Sequence, residues 1–285
     1  SKSNADGFAL QFPEVYSDVS KLPYISMGNQ GRRVIVHLKE AIDKEDEPNS
    51  KSAIYFRELK NYFDASKVQS NTQEKIDNGH VFSMESFRLI TEHKNEGTSV
   101  LMDMVYKNGV WKGTLSRPLT TSYLDLNKGA FPISFITWDG NSSDNSEYLS
   151  PWIGVKLVGE RGGDELLNNM QDQFDGDINN GKKLAIENCA ACHNFAQNTT
   201  APSYMAPNLS NIGGYSTTQY LIESIVNPSA VLVPNHKYNL NPDFPWYNSS
   251  EDGSLISSMP SYDWMDEYSI KDLVSYLKTL KANVE

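Results

Sequence analysis

Two kinds of hydrophobic pattern divide the chain. Over roughly the first 160 residues short apolar stretches alternate with polar positions, as in RRVIVHLKEAI, TSVLMDMVYKNGVWKGTLSRPL and GAFPISFITWDG, with turn signals such as KNG and WDGN between or after them. VLMDMVY, then KNG, then VWKGTLSRPL reads as a β-hairpin, and the segment as a whole predicts an antiparallel β-sandwich. A shorter helical element has two candidate places, SAIYFRELKNYF or around FSMESFRLITEH. From about residue 175 the period changes to that of helices. DINNGKKLAIENCAACHNF carries Leu184, Ala185 and Ile186 into its cysteines, LIESIVNPS forms a middle helix, and Ile270, Leu273, Val274, Leu277 and Leu280 recur along a terminal one. That last helix is expected to take Ser269 as N-cap, with Asp272 three residues on and Lys278 and Lys281 in its final turns. Between the two regions VGERGGDELLNNMQDQFDGDINNG is polar and acidic and contains Gly162 and Gly163, as a linker or exposed connecting helix would. The expectation is a β-sandwich over residues 1–170 followed by an all-α domain over 171–285.

Composition narrows what such a chain does. The length of 285 residues suits two domains, and 39% hydrophobic residues suffice for packed cores. A formal net charge of −11 makes nucleic acid and anionic membrane poor partners and a protein with a basic patch a better one. No run of about 18 apolar residues occurs, so no membrane span is expected. The opening SKSNADGFALQFP has no signal-peptide pattern and reads as a mature terminus or an expression scar. Walker, GxGxxG, GxSxG and HExxH motifs are absent, and carboxylate pairs such as Asp263 and Asp266 read as solvated surface.

The chemistry concentrates in CAACH, residues 189–193. Cys189 and Cys192 are the only cysteines, so no second CxxC exists to complete a zinc tetrad. A redox dithiol would want a strand before the motif and a helix starting at it, whereas here the helical pattern starts earlier. On a helix, Cys189, Cys192 and His193 project from one face at i, i+3 and i+4. Two thioether bonds could then hold the edge of a porphyrin while the imidazole reaches the iron, and CxxCH is the signature of c-type haem attachment. Such an iron usually needs a second axial ligand further along. Met259, followed by Pro260 in the polar loop before the terminal helix, is the candidate, with Met265 a rival that reads more simply as core.

With these residues in view, 175–285 resembles a class I cytochrome c: CAACH on the first helix, APNLSNIGGY (206–215) in the loop after it, LIESIVNPS, then MPSY and the helix ending YLKTLK. The resemblance implies that the carbonyl of Pro207 accepts the Nδ1 proton of His193 and holds its tautomer. NHKYNLNPDFPWYNSSEDG (235–253) makes the stretch before Met259 long, and His236 within it reads as solvated.

A second resemblance spans the N-terminal half. DGFALQFP (6–13), PYISMGN (23–29), a hairpin ending in SRPL (116–119), FITWDGN (135–141) and SPW (150–152) are similar to the haem b-binding subunit of ethylbenzene dehydrogenase and related molybdenum enzymes of the dimethyl sulfoxide reductase type. Those subunits are β-sandwiches that hold a non-covalent haem b between a methionine and a lysine. The resemblance places the methionine at Met27, with Gly28 leaving room to turn beneath a flat ligand. It places Glu147 where the lysine should be. His37, His80 and His93 are the histidines that could replace it, though His37 in VIVHL reads as a sheet residue and His93 as a turn residue.

The functional expectation is outer-sphere electron transfer by a periplasmic c-type cytochrome, since covalent haem attachment takes place outside the cytoplasm. Its partners would be redox proteins, among them a periplasmic molybdenum oxidoreductase. Two alternatives stand beside it: a haem enzyme with an open iron, and a single-haem cytochrome whose sandwich binds a partner or ligand.

Overall fold

The structure is a computed structural model describing residues 6–25, 28–29, 31–40, 80–85, 89–93, 100–138, 147–171, 175–232, 241 and 243–282. The chain divides into two compact units, Ser1–Met170 and Gln171–Glu285.

The first unit is built on a seven-stranded sheet, all of whose pairings are antiparallel. Its strands are β1 (Gly7–Pro13), β2 (Val34–Glu40), β3 (His80–Glu85), β4 (Leu89–Glu92), then β7 (Ala130–Trp138), β8 (Glu147–Leu149) and β9 (Ile153–Lys156). Their order is β4-β3-β2-β1-β7-β8, with β9 also pairing β7. β5 (Leu101–Lys107) and β6 (Val110–Ser116) form a separate two-stranded ribbon. Lys107 pairs with Val110 across Asn108 and Gly109, both at positive φ, the two-residue turn that an Asn-Gly step favours. Phe8 of β1 lies against Gly113 of β6, where an added Cβ would stand 2.8 Å from its ring, so the ribbon packs on one face of the sheet. Among the described residues this ribbon stands where a sandwich would have a second full sheet.

Of the two places offered for a short helix, FSMESFRLITEH instead supplies β3 and β4, with Glu85 facing Leu89. Phe82, Ser83 and Met84 are all buried, so both faces of the strand are covered and the alternation that betrays a strand is lost. SAIYFRELKNYF lies outside the described residues. The expected exposed join contains α1 (Asp164–Asn169), whose Leu167 packs against Gly154 of β9 within the first unit.

The second unit is helical: α2 (Ile178–Asn188), α3 (Ile212–Tyr215), α4 (Thr218–Val226) and α5 (Glu267–Thr279), with a small hairpin of β10 (Tyr247–Ser249) and β11 (Leu255–Ser257) between α4 and α5. Ala185, Phe195, Ile212, Leu221, Ile225, Met265, Leu273, Val274, Tyr276, Leu277 and Leu280 form its core. α2 and α5 cross in backbone contact. A Cβ on Gly181 would overlap the Asp272 carbonyl and stand 2.9 Å from Tyr276 Cβ. The crossing is tied by Asp272, which accepts from the Asp177 amide at 2.7 Å and from Asn180 Nδ2 at 2.8 Å. Asp272 therefore braces α2, and the N-cap of α5 is Asp266, not Ser269: Asp266 accepts from the Ser269 amide at 3.0 Å and from its hydroxyl at 2.7 Å. Ile186 is exposed, because the helix packs through Gly181 and Ala185.

Candidate haem attachment site

α2 begins at Asp177, whose carboxylate caps the amides of Asn179 and Asn180, and its helical hydrogen bonding ends at Cys189. CAACH therefore sits in the turn after the helix rather than on it. His193 and Cys192 both donate their amides to the Cys189 carbonyl, at 2.8 and 3.1 Å, which continues the helical curl for one more turn. Cys189 is half-buried against the core and Cys192 is exposed, both as free thiols. Burial, and secondarily the neighbouring Cys192, push the Cys189 thiol up to about 11. That is opposite to the depressed pKa that makes a reactive redox dithiol, so the redox reading lacks its activating environment. Among the described residues no cluster of three His, Cys, Asp or Glu side chains could hold a metal ion.

His193 is buried, and its Nδ1 lies 2.7 Å from the Pro207 carbonyl oxygen. A carbonyl can only accept, so Nδ1 carries the proton and Nε2 keeps its lone pair. Burial lowers the pKa of the ring, with the Pro207 hydrogen bond opposing it, and the imidazole is neutral near pH 7. Neutral, oriented and with a free Nε2 lone pair is the state in which histidine ligates a metal.

The loop that brings Pro207 there is organised by Asn194, which sequence reasoning missed. Its side chain donates to the Ala201 carbonyl at 2.9 Å and accepts the Ala201 amide at 3.1 Å, while its backbone carbonyl accepts the Leu209 amide at 2.8 Å. Phe195 beside it is almost fully buried and bridges to Asn198. An Asn-Phe step straight after the histidine was the available signal.

Met259 is half-buried, in a loop pinned on both sides. Before it, Ser258 donates its amide to the Trp246 carbonyl at 2.8 Å and its hydroxyl to the Pro245 carbonyl at 2.7 Å. After it, Ser261 and Tyr262 bond the carbonyls of Val226 and Ile225 at the end of α4. Tyr262 then reaches back, its hydroxyl donating to the Asn188 carbonyl at 2.7 Å, which ties the Met259 loop to the peptide just before Cys189. The rival Met265 is buried in the core. His236 lies outside the described residues.

In the first unit Met27 lies outside the described residues, as do the side chains of Glu147 and His80. Gly28 has φ +65°, but the space above it is taken by protein: an added Cβ would stand 2.5 Å from the Met84 carbonyl and 2.7 Å from that of Arg32. Its lack of a side chain serves a close backbone approach, not a flat ligand. His37 is fully buried, edge-on to Phe12, with Nε2 accepting from Arg117 Nη1 at 3.2 Å. Burial first, then the Arg117 charge and His93, push its pKa down to about 3. His93 stacks on Tyr123 and its Nε2 meets the Ser83 hydroxyl at 2.5 Å. Neither ring turns a free Nε2 towards a ligand.

No described helix is long and apolar enough to cross a membrane. No curated protein matches the chain. Residues 178–281, from the first residue of α2 to just past the end of α5, match the family model of cytochrome c, and the helical second unit is a cytochrome c domain.

Proposed function

We propose that the second unit carries electrons through one haem c, joined by thioether bonds to Cys189 and Cys192, with its iron between His193 Nε2 and the Met259 thioether. The observation that carries this is the Nδ1–H of His193 donated to the Pro207 carbonyl at 2.7 Å, one residue past the Cys192 thiol. It fixes the tautomer that can ligate iron through Nε2, next to the half-buried Cys189 thiol, whose pKa burial raises. The haem supplies a one-electron ferric/ferrous couple, and a thioether ligand raises its potential relative to bis-histidine ligation. The chain's own residues orient the imidazole, hold the Met259 loop from both ends, and exclude water with Phe195 and the rest of the core. Outer-sphere transfer would need no more than this, and a second ligand from Met259 would favour a carrier over an open-iron enzyme.

The periplasm is the proposed compartment, because thioether attachment is made there, and redox proteins are the partners. The first unit, read as a β-sandwich, is proposed as a recognition module for such a partner, a periplasmic molybdenum oxidoreductase being the one its resemblance suggests. A non-covalent haem b on Met27 finds no second ligand in His37 or His93, both of which are engaged. A pyridine haemochrome assay with acid–acetone extraction tests the whole reading. One covalent haem per chain and nothing extractable is expected. One extractable haem in addition would restore haem b, and no haem after expression with a complete maturation system would overturn the proposal. Carbon monoxide should leave the reduced Soret band nearly unmoved; a large shift would favour the open-iron enzyme.

A further inference from the structure

The segment that follows Met259 turns alternately inward and outward. Tyr262 goes in: its amide bonds the Ile225 carbonyl at 3.0 Å and its hydroxyl the Asn188 carbonyl at 2.7 Å. Trp264 goes out and is 68% exposed, although its ring stays in tilted contact with that of Tyr262, centroids 6.0 Å apart. Tyr268, in the first turn of α5, is 79% exposed. Two large aromatic side chains four residues apart are thus left in water, whereas Phe195, Trp246 and Tyr276 of the same unit are buried.

The charge around them has one sign. Asp263, Asp266 and Glu267 are all exposed, and between Lys237 and Lys271 the sequence contains no lysine, arginine or histidine. Lys271, the first cation reached, is held by Asp175 at 2.6 Å. The patch is also firmly mounted, since the Asp266 cap fixes the start of α5 and Asp263 donates its amide to the Ser261 hydroxyl. An exposed aromatic centre inside a rim of single-sign charge is how protein docking sites are built: the aromatics supply contact area at low entropic cost and the rim steers encounter.

Its position relative to the proposed haem gives the patch a purpose. Tyr262 rests on the peptide that precedes Cys189, and Trp264 rests on Tyr262. A partner packed on Trp264 therefore lies two side-chain contacts from the thioether edge at Cys189, beside the exposed Cys192. We propose that Trp264 and Tyr268, rimmed by Asp263, Asp266 and Glu267, form the docking face for a redox protein that presents an apolar centre within a basic ring. This rests on the haem c reading and names the partner's chemistry.

The test uses the full-length holoprotein. Stopped-flow second-order rate constants are measured against a lysine-rich mitochondrial-type cytochrome c, as a basic protein probe, and against ferricyanide, a small anion that needs no docking face. The variants are Trp264→Ala and the double substitution Asp263→Asn/Glu267→Gln. Removing a central Trp anchor should slow the reaction with the basic protein by about tenfold or more. Neutralising the rim should slow it by about tenfold at low ionic strength and flatten its salt dependence. Ferricyanide rates should change by less than about twofold for Trp264→Ala, with spectrum and potential unaltered. Wild-type rates with the basic protein in both variants would overturn the docking face, as would an equal loss toward ferricyanide. A holoprotein with no covalent haem, or one inert to ferricyanide, would instead refute the haem reading beneath it.

Discussion

The α2–α5 crossing yields a prediction whose sign the structure decides. Gly181→Ala in an exposed helix should stabilise by about 1 kcal/mol through propensity alone. Here the added methyl would overlap the Asp272 carbonyl and stand 2.5 Å from its carbon, so backbone, not a flexible side chain, must give way. Overpacking of that kind costs about 1–3 kcal/mol, and the rigid partner argues for the upper end. The net should be a loss of about 2 kcal/mol, which for a domain of this size is a fall in Tm of roughly 8 °C. The shift would also strain the bonds from Asp177 and Asn180 to Asp272, and α2 carries CAACH at its far end.

A matched pair of glycines supplies the control. A Cβ on Gly213 would overlap the Leu277 carbonyl and stand 2.6 Å from that of Lys278, whereas at Gly214 the nearest atom is Lys281 Cα at 4.0 Å. Melts of the holoprotein followed by Soret circular dichroism should therefore show Gly213→Ala falling like Gly181→Ala, and Gly214→Ala unchanged or slightly stabilised. If Gly181→Ala and Gly213→Ala melt at or above the wild type, the close crossing is not what holds this unit together.

Other outcomes follow from the site and from the first unit. Met259→Ala should open the iron, so that the reduced protein binds carbon monoxide with a clear Soret shift and loses the methionine-to-iron charge-transfer band, while Met265→Leu should keep the band and stay unresponsive to carbon monoxide. Cys192→Ala should leave a haem held by one thioether, read as a changed pyridine haemochrome maximum; haem that becomes fully acid-extractable would mean Cys189 is not a point of attachment. Hydrogen bonds from Ser269 hold the Asp266 carboxyl below its usual range, so the cap's stabilisation is present above the unfolded pKa and is lost as pH falls through the lower folded one. Asp266→Ala should therefore lower Tm at pH 7 and flatten the acid limb of stability. His37 is neutral in the fold down to about pH 3 while the unfolded chain takes up a proton near 6.5. Stability of the first unit should fall as pH drops below about 6.5, and a His37→Gln variant should lose that slope in pH-dependent denaturant titrations.

What was legible in the sequence followed from how strictly the chemistry dictates residue type. Covalent attachment needs two thiols and a histidine at fixed spacing, so CAACH could be picked out; Pro207 followed from the resemblance to class I cytochromes c, and the structure brings His193 and Pro207 together. Packing is less strict about residue type. α2 docks through its smallest side chains, Gly181 and Ala185, so Ile186 next to them faces water. The cap of α5 went astray because Asp266 and Ser269 each satisfy a capping pattern, and only the fold shows the aspartate accepting while Asp272 turns to the neighbouring helix.

In the first unit the difficulty was burial on both faces. β3 buries Phe82, Ser83 and Met84 in succession, which erases the period of two, and polar residues such as Gln11, His37 and Ser134 sit fully inside the sheet layer. Gly28 shows the same limit on the scale of one residue. A glycine after a methionine is compatible with a flat ligand passing over the backbone, and equally with another strand passing there. Only the coordinates distinguish them, by placing the carbonyls of Met84 and Arg32 in the space a side chain would need.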